Sequence, residues 1–154
     1  MTHKEYMMMA IEEARKGILR GDGGPFGTVI VKDGTVVAKG HNMVLRNHDA
    51  TAHGEMMAMR EAGSVLGTHD LSGCTLYTTG EPCHMCLCAT MWANIDRVYY
   101  GCTIEDNGMI GFRDDKFNTI FGGRDKLGDY LVPLCREQCL ALFEEYNAMQ
   151  HSTY

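Results

Sequence analysis

The sequence predicts an α/β protein, a three-layer α/β/α sandwich around a mixed five-stranded sheet. Three observations carry that prediction. An amphipathic helical pattern opens the chain, and an Asp33-Gly34 hairpin signal follows it. From His53 onward, helical patterns then alternate with short strand patterns. At 154 residues the chain suits one domain, 1–154, burying roughly two-thirds of its unfolded surface.

Each element has its own justification. The first helix runs from about Thr2 to Leu19 and stops at Gly21-Asp22-Gly23-Gly24-Pro25, a run of helix breakers. Strands Thr28 to Val31 and Val36 to Lys39 flank Asp33-Gly34, a pair suited to a tight turn. A second helix, rich in Met and Ala, covers about His53 to Leu66. Thr75 to Thr78 reads as a strand, Cys83 to Ala93 as the third helix and Val98 to Tyr100 as the next strand. A long polar, glycine-bearing stretch then runs to Gly128 with no element assigned. Tyr130 to Pro133 forms the fifth strand and Arg136 to Ala148 the last helix. Met7, Met8, Met9, Met56, Met57 and Met59 read as gap-filling core residues or a helix-mediated subunit contact, and Trp92 as core. Gly21 to Gly27 lacks the Gly-Lys-Ser/Thr ending of a phosphate loop, so it reads as a turn carrying Phe26.

Composition narrows the partners. Lys and Arg total 14 against 20 Asp and Glu, a net charge of −6, which argues against a nucleic-acid footprint built on clustered cations. No apolar run approaches the roughly 18 residues of a membrane span. Lys4, Glu5, Glu12, Glu13, Arg15 and Lys16 interrupt any secretory h-region, and seven cysteines is an odd number. A reducing cytoplasm is therefore expected, with Cys74, Cys88, Cys102, Cys135 and Cys139 as small buried hydrophobes.

The chemistry concentrates in His53-Gly54-Glu55 and Pro82-Cys83-His84-Met85-Cys86. One imidazole, two thiolates and one spare carboxylate make the inventory of a catalytic zinc site, with the fourth position left for water. Cys83 and Cys86, three apart, share a helix face and can grip one ion. His53 and Glu55, two apart, would diverge on a helix, so they serve one metal only where a helix start meets it end-on. Pro82 suits such a start, and two positive helix ends would favour thiolates. A redox pair or half of a structural zinc ribbon is the alternative for a C-x-x-C alone.

The joint H-x-E and P-C-x-x-C pattern is that of zinc deaminases acting on nucleobases. Gly24-Pro25-Phe26-Gly27, Gly40-His41-Asn42, Ala52-His53-Gly54-Glu55 and Glu81-Pro82-Cys83 through Cys86 resemble the cytidine deaminase superfamily. The likeness falls in the branch with guanine deaminases, yeast-type cytosine deaminases and tRNA adenosine deaminases, and implies the cytidine deaminase-like fold. It also implies hydrolytic deamination, with one catalytic zinc held by His53, Cys83 and Cys86 and with Glu55 moving protons. Asn42 matches a position that hydrogen-bonds the base, and a backbone group at Gly54 adds a contact. Phe26 lines or stacks on the pocket. His41, His48, His69 and His84 are read as surface or core histidines.

Base identity rests on fewer residues. Gly54 stands where members with guanine activity usually show Ala, and it occurs in yeast-type cytosine deaminases, toward which Gly40-His41-Asn42-Met43 also leans. Ile110-Gly111-Phe112-Arg113-Asp114-Asp115 resembles the guanine deaminase loop. That likeness makes Asp114 a second proton shuttle, with Asp115 the substitute one register away. The ending, from Arg136 to Tyr154, is similar to guanine deaminase C-termini. The resemblance thus implies that a segment of about 134–154 caps a site, often the partner's in a swapped homodimer, and brings Tyr154 near the base. The reading reached is zinc-dependent conversion of guanine to xanthine and ammonia. Behind it stand a cytosine deaminase, a tRNA adenosine deaminase and a non-catalytic zinc-stabilised binding module.

Overall fold

The computed structural model describes residues 1–121 and 125–151. Helix α1 (His3–Arg20) starts at a capping box, in which Thr2 accepts from the Glu5 amide while the Glu5 carboxylate accepts from Thr2. Its buried residues, Tyr6, Met7, Ala10, Ile11, Ala14, Gly17 and Ile18, recur at helical spacing and form the stripe laid on the sheet. Strands β1 (Gly27–Lys32) and β2 (Thr35–His41) meet at Asp33 and Gly34, both at positive φ (49° and 75°) as a type I′ turn requires. Next come the single turn α2 (Val44–Asn47), α3 (Gly54–Leu66), β3 (Cys74–Gly80), α4 (His84–Trp92) and β4 (Arg97–Cys102). The chain continues through α5 (Ile104–Met109), α6 (Asp114–Phe121), a 3₁₀ segment (Asp125–Tyr130), β5 (Leu131–Pro133) and α7 (Arg136–Ala148).

The sheet order is β2-β1-β3-β4-β5, with β1 antiparallel to both neighbours and β3, β4 and β5 parallel. Alternation along the strands separates two cores. Val29, Val31, Tyr77 and Tyr99 face α1 and α7, whereas Ile30, Leu76 and Val98 pack with Ala58, Met59 and Ala62 of α3. This is the expected three-layer arrangement.

Register builds the site. Gly27 pairs with His41, and Thr28 with Thr78, so the start of β1, the end of β2 and the end of β3 lie at one edge. Phe26, Asn42 and Glu81-Pro82-Cys83 therefore arrive together, beyond the carboxyl end of β3. The turn is locked by the Asn42 amide donating to the Phe26 carbonyl at 2.8 Å.

Several expectations are corrected. The stretch before Gly128 is not featureless, since it holds α5, α6 and a 3₁₀ segment. Thr103 and Asp106 form a second capping box that starts α5 inside a polar run lacking a hydrophobic stripe. Trp92 is 86% exposed rather than core. It lies two residues past buried Thr90, about 200° round the helix from the inward face. Cys88 is exposed for the same reason, two residues past Cys86, and Cys135 is only partly buried at the start of α7. His41 is neither a surface residue nor an apolar-core one: its ring is buried between Glu13 (3.0 Å) and Asp22 (2.8 Å), tying α1 to β2. Among the described residues no helix is long and apolar enough to cross a membrane.

Candidate active site

Two helix starts converge on one point. His53 is the N-cap of α3 and Cys83 the N-cap of α4, both extended (ψ 158° and 171°) and neither making a side-chain cap hydrogen bond. Cys86 sits three residues into α4, so both sulfurs face the α3 start. Pro82 precedes the cap rather than occupying the first helical position, and it too lacks an N–H that would need a partner there.

The donor geometry fits zinc. His53 Nδ1 lies 3.6 Å from Cys83 Sγ and 3.6 Å from Cys86 Sγ, and the three donor atoms all lie within 4.8 Å of one another. A tetrahedral ion with zinc–nitrogen bonds near 2.05 Å and zinc–sulfur bonds near 2.3 Å requires donor separations of about 3.6 Å. No fourth His, Cys, Asp or Glu joins them among the described residues, so the set is that of an open catalytic site rather than a closed structural one. The three donors perturb one another electrostatically. Cys83 is drawn down to about 4, chiefly by its hydrogen bond with Cys86 and then, against burial, by His53. Cys86 is pushed up by the same hydrogen bond and by burial. Burial works against the charged form of His53, yet the contact with Cys83 outweighs it and raises the imidazole to about 9.

Glu55 lies two residues past His53 in the first turn of α3, is 5% exposed, and accepts from the Thr78 hydroxyl at 3.4 Å. Thr78 in turn accepts from Thr28, so strands β1 and β3 fix the carboxylate. Burial first of all raises its pKa above the usual carboxylate range. Gly54 packs on the Phe26 carbonyl, where a Cβ would lie 2.9 Å from that oxygen. An alanine there would require α3 or the start of β1 to shift by a few tenths of an ångström.

These groups open onto a recess of about 340 Å³, its mouth included, lined by Phe26, Asn42, His53, Glu55, Asn107 and Asp114, with Glu81, Cys83 and Phe112 completing the wall. Asn42 is 2% exposed, and its Oδ1 accepts from the Val44 amide at 3.1 Å. Phe26 meets Phe112 edge-to-face at 4.9 Å and Phe143 of α7 at 5.5 Å. Asp114, the first residue of α6, lines the recess, whereas Asp115 is exposed and accepts from the Lys116 amide. Tyr154 lies outside the described residues. The last described residue, His151, stacks on Tyr146 at 4.0 Å, and Tyr146 contacts Phe112. Sequence reasoning missed Asn107, Glu81 and the wall role of Phe112. The first was concealed within the unassigned stretch, and its only signal was the Thr103-x-x-Asp106 capping pattern just before it.

Comparisons with known proteins agree with this geometry. A family model described as the cytidine and deoxycytidylate deaminase zinc-binding region matches residues 1–102. Guanine deaminase of Bacillus subtilis (strain 168) is 46% identical over 117 residues, covering 76% of this chain and 74% of that protein. The tRNA-specific adenosine deaminase of Aquifex aeolicus (strain VF5) is 41% identical over 108 residues, covering 70% and 71%. A solved guanine deaminase from Nitrosomonas europaea superposes with a TM-score of 0.82 at 29% identity, covering 96% of this chain and 86% of that one.

Proposed function

This chain belongs to the cytidine and deoxycytidylate deaminase family, and we propose that it is a zinc-dependent guanine deaminase, turning guanine and water into xanthine and ammonia. The observation that carries the choice of base is a second carboxylate, Asp114, lining the same recess as Glu55. The exocyclic amine of guanine sits between two ring nitrogens, and its departure asks for proton delivery at more than one point.

His53 Nδ1, Cys83 Sγ and Cys86 Sγ would hold the zinc, which would supply the Lewis acidity that lowers the pKa of water toward neutrality. Glu55, off the metal trio and shielded from solvent, takes a proton from the attacking water and delivers it to the ring nitrogen beside C2. A carboxylate raised by burial suits both halves of that transfer. Asp114 relays the remaining hydroxyl proton at C2 to the amine as the C2–N bond breaks, so that the C2 carbonyl forms and the amine departs as ammonia. Asn42 and the Gly54 backbone hydrogen-bond the base, while Phe26 covers its face.

The 1–154 chain acts as a single deaminase domain whose segment of about 134–154 caps a site, in its own subunit or a partner's, with Tyr154 over the base. Support comes from the contacts running from the recess wall through Phe112 and Tyr146 to His151. The working form is a homodimer, and the apolar Met85, Met91 and Trp92 exposed on α4 are its contact candidates. Seven cysteines without a disulfide suit a cytoplasmic setting.

Ammonia release from guanine, cytosine, adenine and their nucleosides tests the reading. Turnover of guanine is expected. Turnover of cytosine instead would transfer the assignment to the cytosine branch, and turnover only of adenosine in tRNA would transfer it to the tRNA branch. Silence on all, with zinc bound, would leave a zinc-stabilised binding module.

A further inference from the structure

We propose that Asn107 is a positioning residue for the reaction, holding the Asp114 carboxylate in the recess. The proposal rests on the guanine deaminase reading and on the role given there to Asp114. Asn107 lies on α5, 1% exposed, and lines the recess. Its Nδ2 donates to Asp114 Oδ2 at 3.0 Å and to the Glu81 carbonyl at 3.5 Å. Glu81 stands two residues before Cys83, so one amide registers the carboxylate against the loop that carries two metal ligands. The backbone carbonyl of Asn107 also accepts from the Ile110 and Phe112 amides, closing the turn that delivers the chain to Asp114. One residue thus fixes both the backbone approach and the side chain of the same group.

Two further features fit positioning better than packing. Asn107 Oδ1 is buried with no hydrogen-bond partner among the described residues, and it lies 3.1 Å from where a Cβ on Gly80 would stand. A buried acceptor left unpaired costs stability, so an apolar residue would serve a purely structural position better. The neighbouring Asp106 accepts two hydrogen bonds from Arg136, which anchors α5 to the start of α7 and keeps Asn107 from drifting with its short helix.

The test is a double-mutant cycle read by guanine turnover, zinc content and Tm. Asn107→Ala is expected to lower kcat roughly tenfold to a hundredfold, part of what a positioned acid contributes, with KM changed less than about threefold and full zinc. In an Asp114→Ala background the same change should cost nothing further, because its effect runs through Asp114. Asn107→Asp keeps the volume but turns the donor into an acceptor, and should lose at least as much as alanine. Wild-type turnover in either variant, or an undiminished loss on top of Asp114→Ala, would overturn the proposal. So would failure of both variants to fold and hold zinc, which would make Asn107 a folding residue. Full turnover in Asp114→Ala alone would instead overturn the role given to Asp114.

Discussion

Gly54→Ala tests how tightly the catalytic helix is fitted to the sheet. The added methyl would lie 2.9 Å from the Phe26 carbonyl oxygen, 3.3 Å from its carbon and 3.3 Å from the Thr28 hydroxyl. Two of these contacts are backbone, so relief requires α3 or the start of β1 to move by a few tenths of an ångström. Overpacking of this kind costs about 1–3 kcal/mol, and replacing a helical glycine by alanine returns about 0.5–1 kcal/mol, leaving a mid-range net loss of about 1 kcal/mol. For a chain of this length that is a fall in Tm of about 2–4 °C. The displacement does not stay local. The Phe26 carbonyl accepts the Asn42 amide, and the first turn of α3 carries His53 and Glu55. Since about 1 Å of misplacement costs about a hundredfold, a shift of a few tenths should lower kcat/KM about three- to tenfold. Differential scanning fluorimetry, zinc analysis and ammonia release on the purified variant give the three numbers. An unchanged or higher Tm with unchanged kcat/KM would refute the argument, showing that α3 slides on β1 without consequence.

Other perturbations separate the remaining roles. Glu55→Gln should lower turnover about 10²–10⁴-fold while zinc content, measured by elemental analysis, stays at one per chain. Asp114→Ala should lower guanine turnover about a hundredfold, and Asp115→Ala should stay within about twofold in the same ammonia assay, because only the first lines the recess. Arg136→Ala removes the guanidinium whose hydrogen bonds hold Asp106 below its ordinary value of 3.8. The pair reaches partly into solvent at Arg136, so the loss at neutral pH should be small. Because the folded pKa of Asp106 is depressed, that stability is present above 3.8 and fades as pH falls through the lower folded value. Urea titrations at pH 7 and in the acid range should therefore show the gap between wild type and variant closing on acidification.

What the sequence revealed and what it concealed follow from the range of the interactions. The α1 stripe, the Asp33-Gly34 turn and the strand alternation are local patterns, so the layers and the sheet were readable before any contact was known. The metal trio was readable because three ligand types occur in two short runs. Asn107, Glu81 and Phe112 were not, because each acts through a partner distant in sequence or through a capped two-turn helix too short to show a hydrophobic period. Trp92 misled for a related reason: size suggested burial, but the inward positions of α4 are Cys86, Leu87 and Thr90. His41 was undervalued because Glu13 and Asp22, which bind its ring, lie on α1 and just past its end, 28 and 19 residues away in sequence.

The i, i+2 spacing of His53 and Glu55 carries the deepest link between fold and chemistry. Inside a helix those side chains would point about 200° apart and could not share a ligand. Here His53 is not helical at all: as an extended N-cap it directs Nδ1 toward the sulfurs, while Glu55, already in the first turn, swings toward Thr78 and the recess. The ligand and the proton carrier are thereby kept beside one another yet separated, and the carboxylate is denied the metal by the turn of the backbone itself. Cys83 and Cys86 use the same device differently, one from the cap and one from the first turn, so both reach inward. Moving the start of α3 by one residue would exchange these geometries. The position of the helix cap, rather than the helix, therefore separates ligand from proton carrier, and Gly54 lets α3 approach the Phe26 carbonyl at that point.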